Sequence, residues 1–232
     1  MNMQNSHPPR ESAISSIGRL ALLVGASTIP IAGGPVGVFI AEAYERRSRA
    51  QLEGWLSELA SKLEKLQIDG FSEAFDQMLN REDFLTVFME SVKLAERTAL
   101  KEKLAALQNA ILNSVTSDQE LDIRLMYLRY VEELTTSHLL LLELLDNPRS
   151  FYESRGLVWA DWMMGGKMTL IREAFPHWDT TFAELLTKDL HARGLVGTAT
   201  LQGITTPQAM ADSSTTSFGQ GFIRFISENP SA

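Results

Sequence analysis

The sequence has no cysteine among its 232 residues and only four histidines. The first absence removes disulfides and thiolate metal ligands, and it is compatible with a reducing cytoplasm. The second is also restrictive. His7, His138, His177 and His191 include no pair at the i, i+4 spacing that sets two imidazoles on one helix face for zinc. No metal and no other cofactor is expected. Basic residues are outnumbered, 21 Lys and Arg against 29 Asp and Glu, for a formal net charge of -8. A nucleic-acid binder presents a basic face, so nucleic acid is not an expected partner.

Catalytic signatures are missing as well. Met163–Leu170, MMGGKMTL, has the glycine-lysine step of a phosphate loop. However, Asp161 stands where the loop needs its first glycine, and Met168 where Ser or Thr would hold magnesium. A turn between helices is the expectation there. SFGQG, Ser217–Gly221, begins with its serine instead of placing it between glycines, so it is not a nucleophile elbow. Carboxylates such as Glu132 and Glu133 are neighbours that point to different sides of a helix, and no acid and base pair emerges. The chain reads as a protein that is not an enzyme.

What is present is apolar and helical. Apolar residues make up 44% of the chain, enough for one large or two small domains. Charge is unevenly spread. Residues 1–50 carry five basic and three acidic groups, 51–130 nine and fourteen, and 131–232 seven and twelve. The polar first twelve residues, with two prolines, read as a disordered lead-in. Leu20–Ala41 then forms an uncharged run of 22 residues, long enough by count to span a bilayer. Pro30 and the Gly33-Gly34-Pro35 cluster break it, so it is read as two helices joined by a turn, with Pro35 opening the second.

From Val36 to Leu66 no breaker intervenes, and Leu52, Trp55, Leu56, Leu59, Leu63 and Leu66 recur on one stripe. Phe84–Val115 reads as another long helix, and Glu120–Leu134 as a third, with Ser117 or Asp118 as its N-cap. The bundle so defined covers residues 13–133. Beyond it, TTSHLLLLELLDNP predicts a capped, buried helix stopped at Pro148, and Lys167–Phe175 a short one. Asp179 or Thr180 caps a helix closed at Gly194. LVGTATLQ alternates, is rich in β-branched residues and predicts a strand, with SSTTS as its return partner across Gly203–Asp212. GFIRFI predicts a closing helix.

That order of elements, with HARGLV and TTSFGQGFIRFI, resembles a winged-helix module from Leu134 to Glu228, within a C-terminal domain of residues 134–232. The whole chain resembles a type of small bacterial protein that couples an IPxxGGP hairpin and an arginine-bearing helix to such a module. The fold class expected is therefore mainly α: a helical bundle with an apolar hairpin, followed by a winged-helix-like α+β lobe with a two-stranded β wing.

Function is expected to come from contact with a protein partner, or from self-association, in a cytoplasmic scaffold or regulatory subunit. Two alternatives accompany it. In the first, the Leu20–Ala41 hairpin serves a membrane-perturbing effector of toxin or defence type, at the inner face of an anionic membrane, a layout that resembles helical cell-death effectors of the HeLo type. In the second, the C-terminal lobe is a winged-helix DNA-binding regulator. The residues singled out are Gly33, Gly34 and Pro35 for the hairpin turn, and Arg46, Arg47 and Arg49 for headgroup or partner contact.

Overall fold

The computed structural model describes residues 35–65, 78, 80–159, 165–203 and 206–228. The expected lead-in, the first helix of the apolar hairpin and the turn at Gly33 and Gly34 lie outside the described residues. Two compact units divide the chain, one through Leu128 and one over Arg129–Glu228.

In the first unit, α1 (Pro35–Lys65) begins at the proline that the sequence places at a helix start. Two further helices, α2 (Glu82–Arg97) and α3 (Lys101–Ser114), pack on it and on each other. The sequence pattern predicts one long helix over Phe84–Val115, and the structure breaks it. Thr98 is extended (φ -115°, ψ 139°), its hydroxyl accepts from the Leu100 amide, and its carbonyl accepts from Gln51 Nε2 at 2.7 Å. A Thr that bonds its own local backbone offers an alternative to the helical ladder. The chain folds back there, and Phe84, Val87, Phe88 and Val92 share one core with Leu107, Ala110, Ile111 and α1 residues Leu59 and Leu63.

Direction within this core comes from buried polar groups. Trp55 Nε1 donates to the Leu104 carbonyl (2.8 Å), Gln108 Nε2 donates to the Trp55 carbonyl (3.0 Å), and Lys62 Nζ donates to Gln108 Oε1 (2.8 Å). Hydrophobic burial is non-directional; these three bonds fix one axial register of α1 on α3. The unit boundary falls inside α4 (Leu121–Glu133). Neither Ser117 nor Asp118 is its N-cap: Glu120 precedes it and accepts from the Ile123 and Arg124 amides.

The second unit is built around α5 (Thr136–Asp146), which packs against α6 (Pro148–Ser154), α7 (Lys167–Ala174) and α8 (Thr180–Ala192). Thr135 and His138 cap α5 reciprocally. Pro148 both ends α5 and opens α6 at a position where its missing N–H costs nothing. Asp179 caps α8 by accepting from the Phe182 amide at 2.7 Å, and Gly194 closes it at φ 73°. The short α9 (Pro207–Ala211) and the closing α10 (Ser217–Ile226) complete the unit.

The winged-helix-like α+β lobe is not what forms. Among the described residues there is no β-strand, and the expected two-stranded wing is reduced to a single antiparallel bridge between Val196 and Thr215. Two things stop the ladder. Thr198 and Thr200 spend their hydroxyls on neighbouring backbone groups: Thr200 N donates to Thr198 Oγ1, which donates to the Thr200 carbonyl, and Gln202 N donates to Thr200 Oγ1. On the return side, Pro207–Ala211 is helical, the Ser214 amide donates to the Leu145 carbonyl at the end of α5, and Thr216 is already the N-cap of α10. The alternation in LVGTATLQ also misleads, because Leu195 and Val196 are both buried.

Glycine permits one close approach. A Cβ at Gly219 in α10 would lie 2.0 Å from the Leu195 carbonyl oxygen, whereas a Cβ at Gly54 on the exposed side of α1 would meet nothing within 4 Å. Urea unfolding should therefore give opposite signs for the same substitution. Gly219→Ala is expected to destabilise by about 1–3 kcal/mol or more, because backbone must move. Gly54→Ala is expected to stabilise by about 0.5–1 kcal/mol through helix propensity.

Candidate functional site

Of the residues singled out from sequence, Gly33 and Gly34 lie outside the described residues. Pro35 and Arg46 belong to the backbone of α1 but their side chains are outside what is described. Arg47 and Arg49 are exposed on α1. No helix among the described residues is long and apolar enough to cross a membrane. Among those residues, no group of three or more His, Asp or Glu side chains could hold a metal ion.

The structure draws attention to three other places. The first is the outer face of α8. A helix of 13 residues needs one apolar stripe to dock, and Ala183, Leu186 and Leu190 supply it, buried. A second apolar stripe, Phe182 and Leu185, faces solvent at 37% and 64% exposure. It is not loose. Phe182 meets Trp178 edge-on with ring centroids 5.4 Å apart, Trp178 stacks on Phe175 at 4.0 Å, and Phe175 contacts Phe151 at 5.6 Å. Phe175 and Phe151 are buried, so a continuous file of rings runs from the core to the surface. Arg172 Nη2 ties the end of α7 to Thr180 at 3.1 Å, and Asp179 holds the first turn. Lys188 is the exposed charge one turn beyond Leu185.

A DNA-binding regulator of the expected kind would put α8 in the major groove, with Lys188, His191 and Arg193 as the groups it offers. Arg193 is committed within the unit: it pairs with Glu133 and with Asp189 (3.1 Å), and its guanidinium lies 5.6 Å over the Tyr130 ring. Its pKa is raised, chiefly by the bond to Glu133. His191 Nδ1 lies 3.0 Å from the Val196 carbonyl. His138 joins this group from α5. Its Nδ1 accepts from the Thr135 amide (3.2 Å), and its Nε2 lies 3.3 Å from Asp189 Oδ2.

The second place is an ion cluster in the first unit. Asp83, in the first turn of α2, pairs with Arg81 (2.8 Å) and with Arg124 of α4 (2.6 Å). The two guanidinium bonds, Arg81's first, hold its carboxyl well below the usual carboxylate range, and burial opposes them. Arg124 is only 2% exposed, and its Nε and Nη1 have no hydrogen-bond partner. The third place is Lys167, the first residue of α7, which donates to the Met210 (2.9 Å) and Asp212 carbonyls.

Sequence reasoning passed over each of these. Phe182 and Leu185 were legible as apolar positions in excess of the one stripe that α8 needs. Arg124 and Asp83, 41 residues apart, had no local signal. Lys167 drew notice only for a motif it does not form. Compared with protein-family models, curated proteins and solved structures, the chain has no match in any of the three.

The ion cluster yields a pair of opposed outcomes. Asp83→Asn leaves Arg124 buried without a counter-charge and is expected to destabilise toward the lower end of about 3–5 kcal/mol, since Asp83 is itself part-exposed. Arg124→Met is expected to be neutral or stabilising, because Asp83 keeps Arg81 and two orphaned donors disappear. For wild type, Asp83 has its lower pKa in the folded state. Its contribution is therefore complete above the unfolded carboxylate range, begins to fall there, and is lost as pH drops on toward the lower folded-state value. Asp83→Asn should lose that part of the acid dependence in urea midpoints measured from pH 7 to pH 3.

Proposed function

We propose that this protein acts by contact, as a non-catalytic partner-binding protein, and that the outer face of α8 is the contact. The observation that carries the reading is the surface end of the aromatic file, where Trp178, Phe182 and Leu185 meet solvent. Isolated exposed apolar residues are ordinary and need no explanation. Here Phe182 and Leu185 lie one turn apart on α8, and Phe182 is ordered by rings that reach into the core. Binding energy concentrates in ordered aromatic anchors, which lose little conformational entropy when a partner covers them. A second copy of the chain and a different protein are both partners of this chemistry. The partner face that fits is apolar, with an acidic group placed to meet Lys188.

The double variant Phe182→Ser/Leu185→Ser tests this. Both side chains are outside the core, so circular dichroism is expected to stay close to wild type, with thermal unfolding lowered only by the lost Phe182–Trp178 ring contact. Sedimentation velocity and affinity capture are then run on both proteins. Wild type is expected to self-associate or to retain a defined protein that the variant loses by tenfold or more in affinity. A partner held equally by both, or no association by either up to high micromolar concentration, overturns the reading.

A further inference from the structure

Rotation at about 100° per residue sorts α8 into two faces. Ala183, Leu186, Thr187 and Leu190 are buried. On the opposite side Thr181, Leu185, Lys188 and Ala192 are exposed and lie within an arc of about 60°. Their spacing of four, three and four residues is that of a helix–helix seam. Phe182 borders the seam on one edge and Glu184 on the other. Among the described residues, Lys188 makes no ion pair. Glu184, one turn before it, is bonded by Gln202 Nε2 instead, so the seam's ammonium is unanswered within one copy.

The seam matches itself when read backwards. A two-fold axis through Leu185, perpendicular to the helix, sets two copies antiparallel, with residues equally far before and after Leu185 at the same height. Leu185 then meets Leu185 of the second copy. The head of the seam, bulky with Trp178 and Phe182, is level with its tail, where Ala192 offers only a methyl group. On the edge away from Phe182, Lys188 falls between Thr181 and Glu184 of the second copy, and the symmetry makes that ion pair twice. Parallel pairing loses each match. It would put Trp178 on Trp178 and Lys188 on Lys188, and like charges brought together are unfavourable.

We infer that the occupant of the α8 face is a second copy of this chain, docked antiparallel about Leu185. This rests on the reading of α8 as the contact surface and adds the identity and direction of the partner. The 13 residues of α8 span about 20 Å at 1.5 Å each. A single face of that length falls short of the roughly 1,200–2,000 Å² that stable interfaces bury in total, so the dimer is a micromolar one that exchanges.

Charge reversal tests the ion pair, with Lys188→Glu and Glu184→Lys checked first for helicity by circular dichroism. Sedimentation velocity at low salt is run on wild type, on each variant and on their equimolar mixture. Wild type is expected to dimerise. Each variant alone sets like charges together twice and should weaken dimerisation by about tenfold, whereas the mixture restores both pairs and should recover it. Direction is read with cysteine, which the chain lacks. Thr181→Cys mixed with Lys188→Cys should give a disulfide-linked dimer under mild oxidation. Neither should link to itself, because antiparallel copies hold like positions about 9–12 Å apart along the axis and a disulfide needs Cα atoms about 4.4–6.8 Å apart. Monomeric wild type up to high micromolar concentration, no recovery in the mixture, or self-linking of either cysteine variant ahead of the mixture overturns the inference. The contact reading itself outlives those results where affinity capture still separates wild type from Phe182→Ser/Leu185→Ser, and falls with them where it does not.

Discussion

A buried donor must find an acceptor, and that requirement, more than apolar burial, selects one arrangement of these helices. Burying leucines stabilises many packings almost equally, because the hydrophobic term follows area and not direction. A hydrogen bond adds only about 1 kcal/mol net, but a buried polar group left unpaired costs about 1–3 kcal/mol. The asymmetry makes wrong registers expensive. In the first unit, a shift of α1 along α3 by one turn would strand the Trp55 indole and the Gln108 amide together. In the second unit, the buried Tyr152 hydroxyl donates to the Leu170 carbonyl at 2.7 Å and Thr216 Oγ1 to the Gly194 carbonyl at 2.6 Å. These bonds pin α6 to α7, and α10 to the end of α8.

Arg124 departs from this rule. One of its nitrogens reaches Asp83, while Nε and Nη1 remain unpaired and out of contact with solvent. A half-satisfied buried guanidinium is less favourable than an apolar side chain of the same volume, so this position is held at a cost in stability. What it provides in return is orientation. Asp83 is in the first turn of α2 and Arg124 in α4, so a single charge pair ties elements separated by 41 residues. No apolar contact would be as particular about which residues meet.

Much of the architecture is legible one element at a time. Pro35, Thr135, Pro148, Asp179 and Gly194 announce helix ends, and each does so because its chemistry acts locally: a missing N–H, a side-chain acceptor, a tolerated positive φ. Thr98 shows the limit. Its break in the Phe84–Val115 pattern is also local, but no proline or glycine marks it; the cue is that the stripe of Leu104, Leu107 and Ile111 is rotated around the helix axis from that of Phe84, Phe88 and Val92. The wing failed for a different reason. Val196, Thr198 and Thr200 have strand propensity, yet β-pairing needs a partner of matching length, and residues 207–211 are taken by a helix while Ser214 is taken by the end of α5. Strand propensity depends on context beyond the strand itself. The candidate contact surface was half legible, since the excess apolar positions on α8 are visible in the sequence, whereas the ring file behind them requires Phe151, Phe175 and Trp178 to be brought together by folding.

That ring file is also what separates the outer face of α8 from ordinary surface. Leaving side chains such as Phe182 and Leu185 in water forgoes part of the roughly 1.5–3 kcal/mol that burying each would contribute, and a polar residue at either position would keep α8 docked through Ala183, Leu186 and Leu190. The apolar choice is therefore not required by the fold of this unit. Trp178 is stacked on Phe175 within about van der Waals distance, so its orientation is fixed before anything approaches, and Phe182 is held against it by a capped first turn. An unconstrained apolar patch would lose rotamer freedom on contact, at about 0.5–1.5 kcal/mol per side chain. Here much of that ordering is complete in the free protein, which is the physical condition under which a small exposed face can contribute affinity out of proportion to its area.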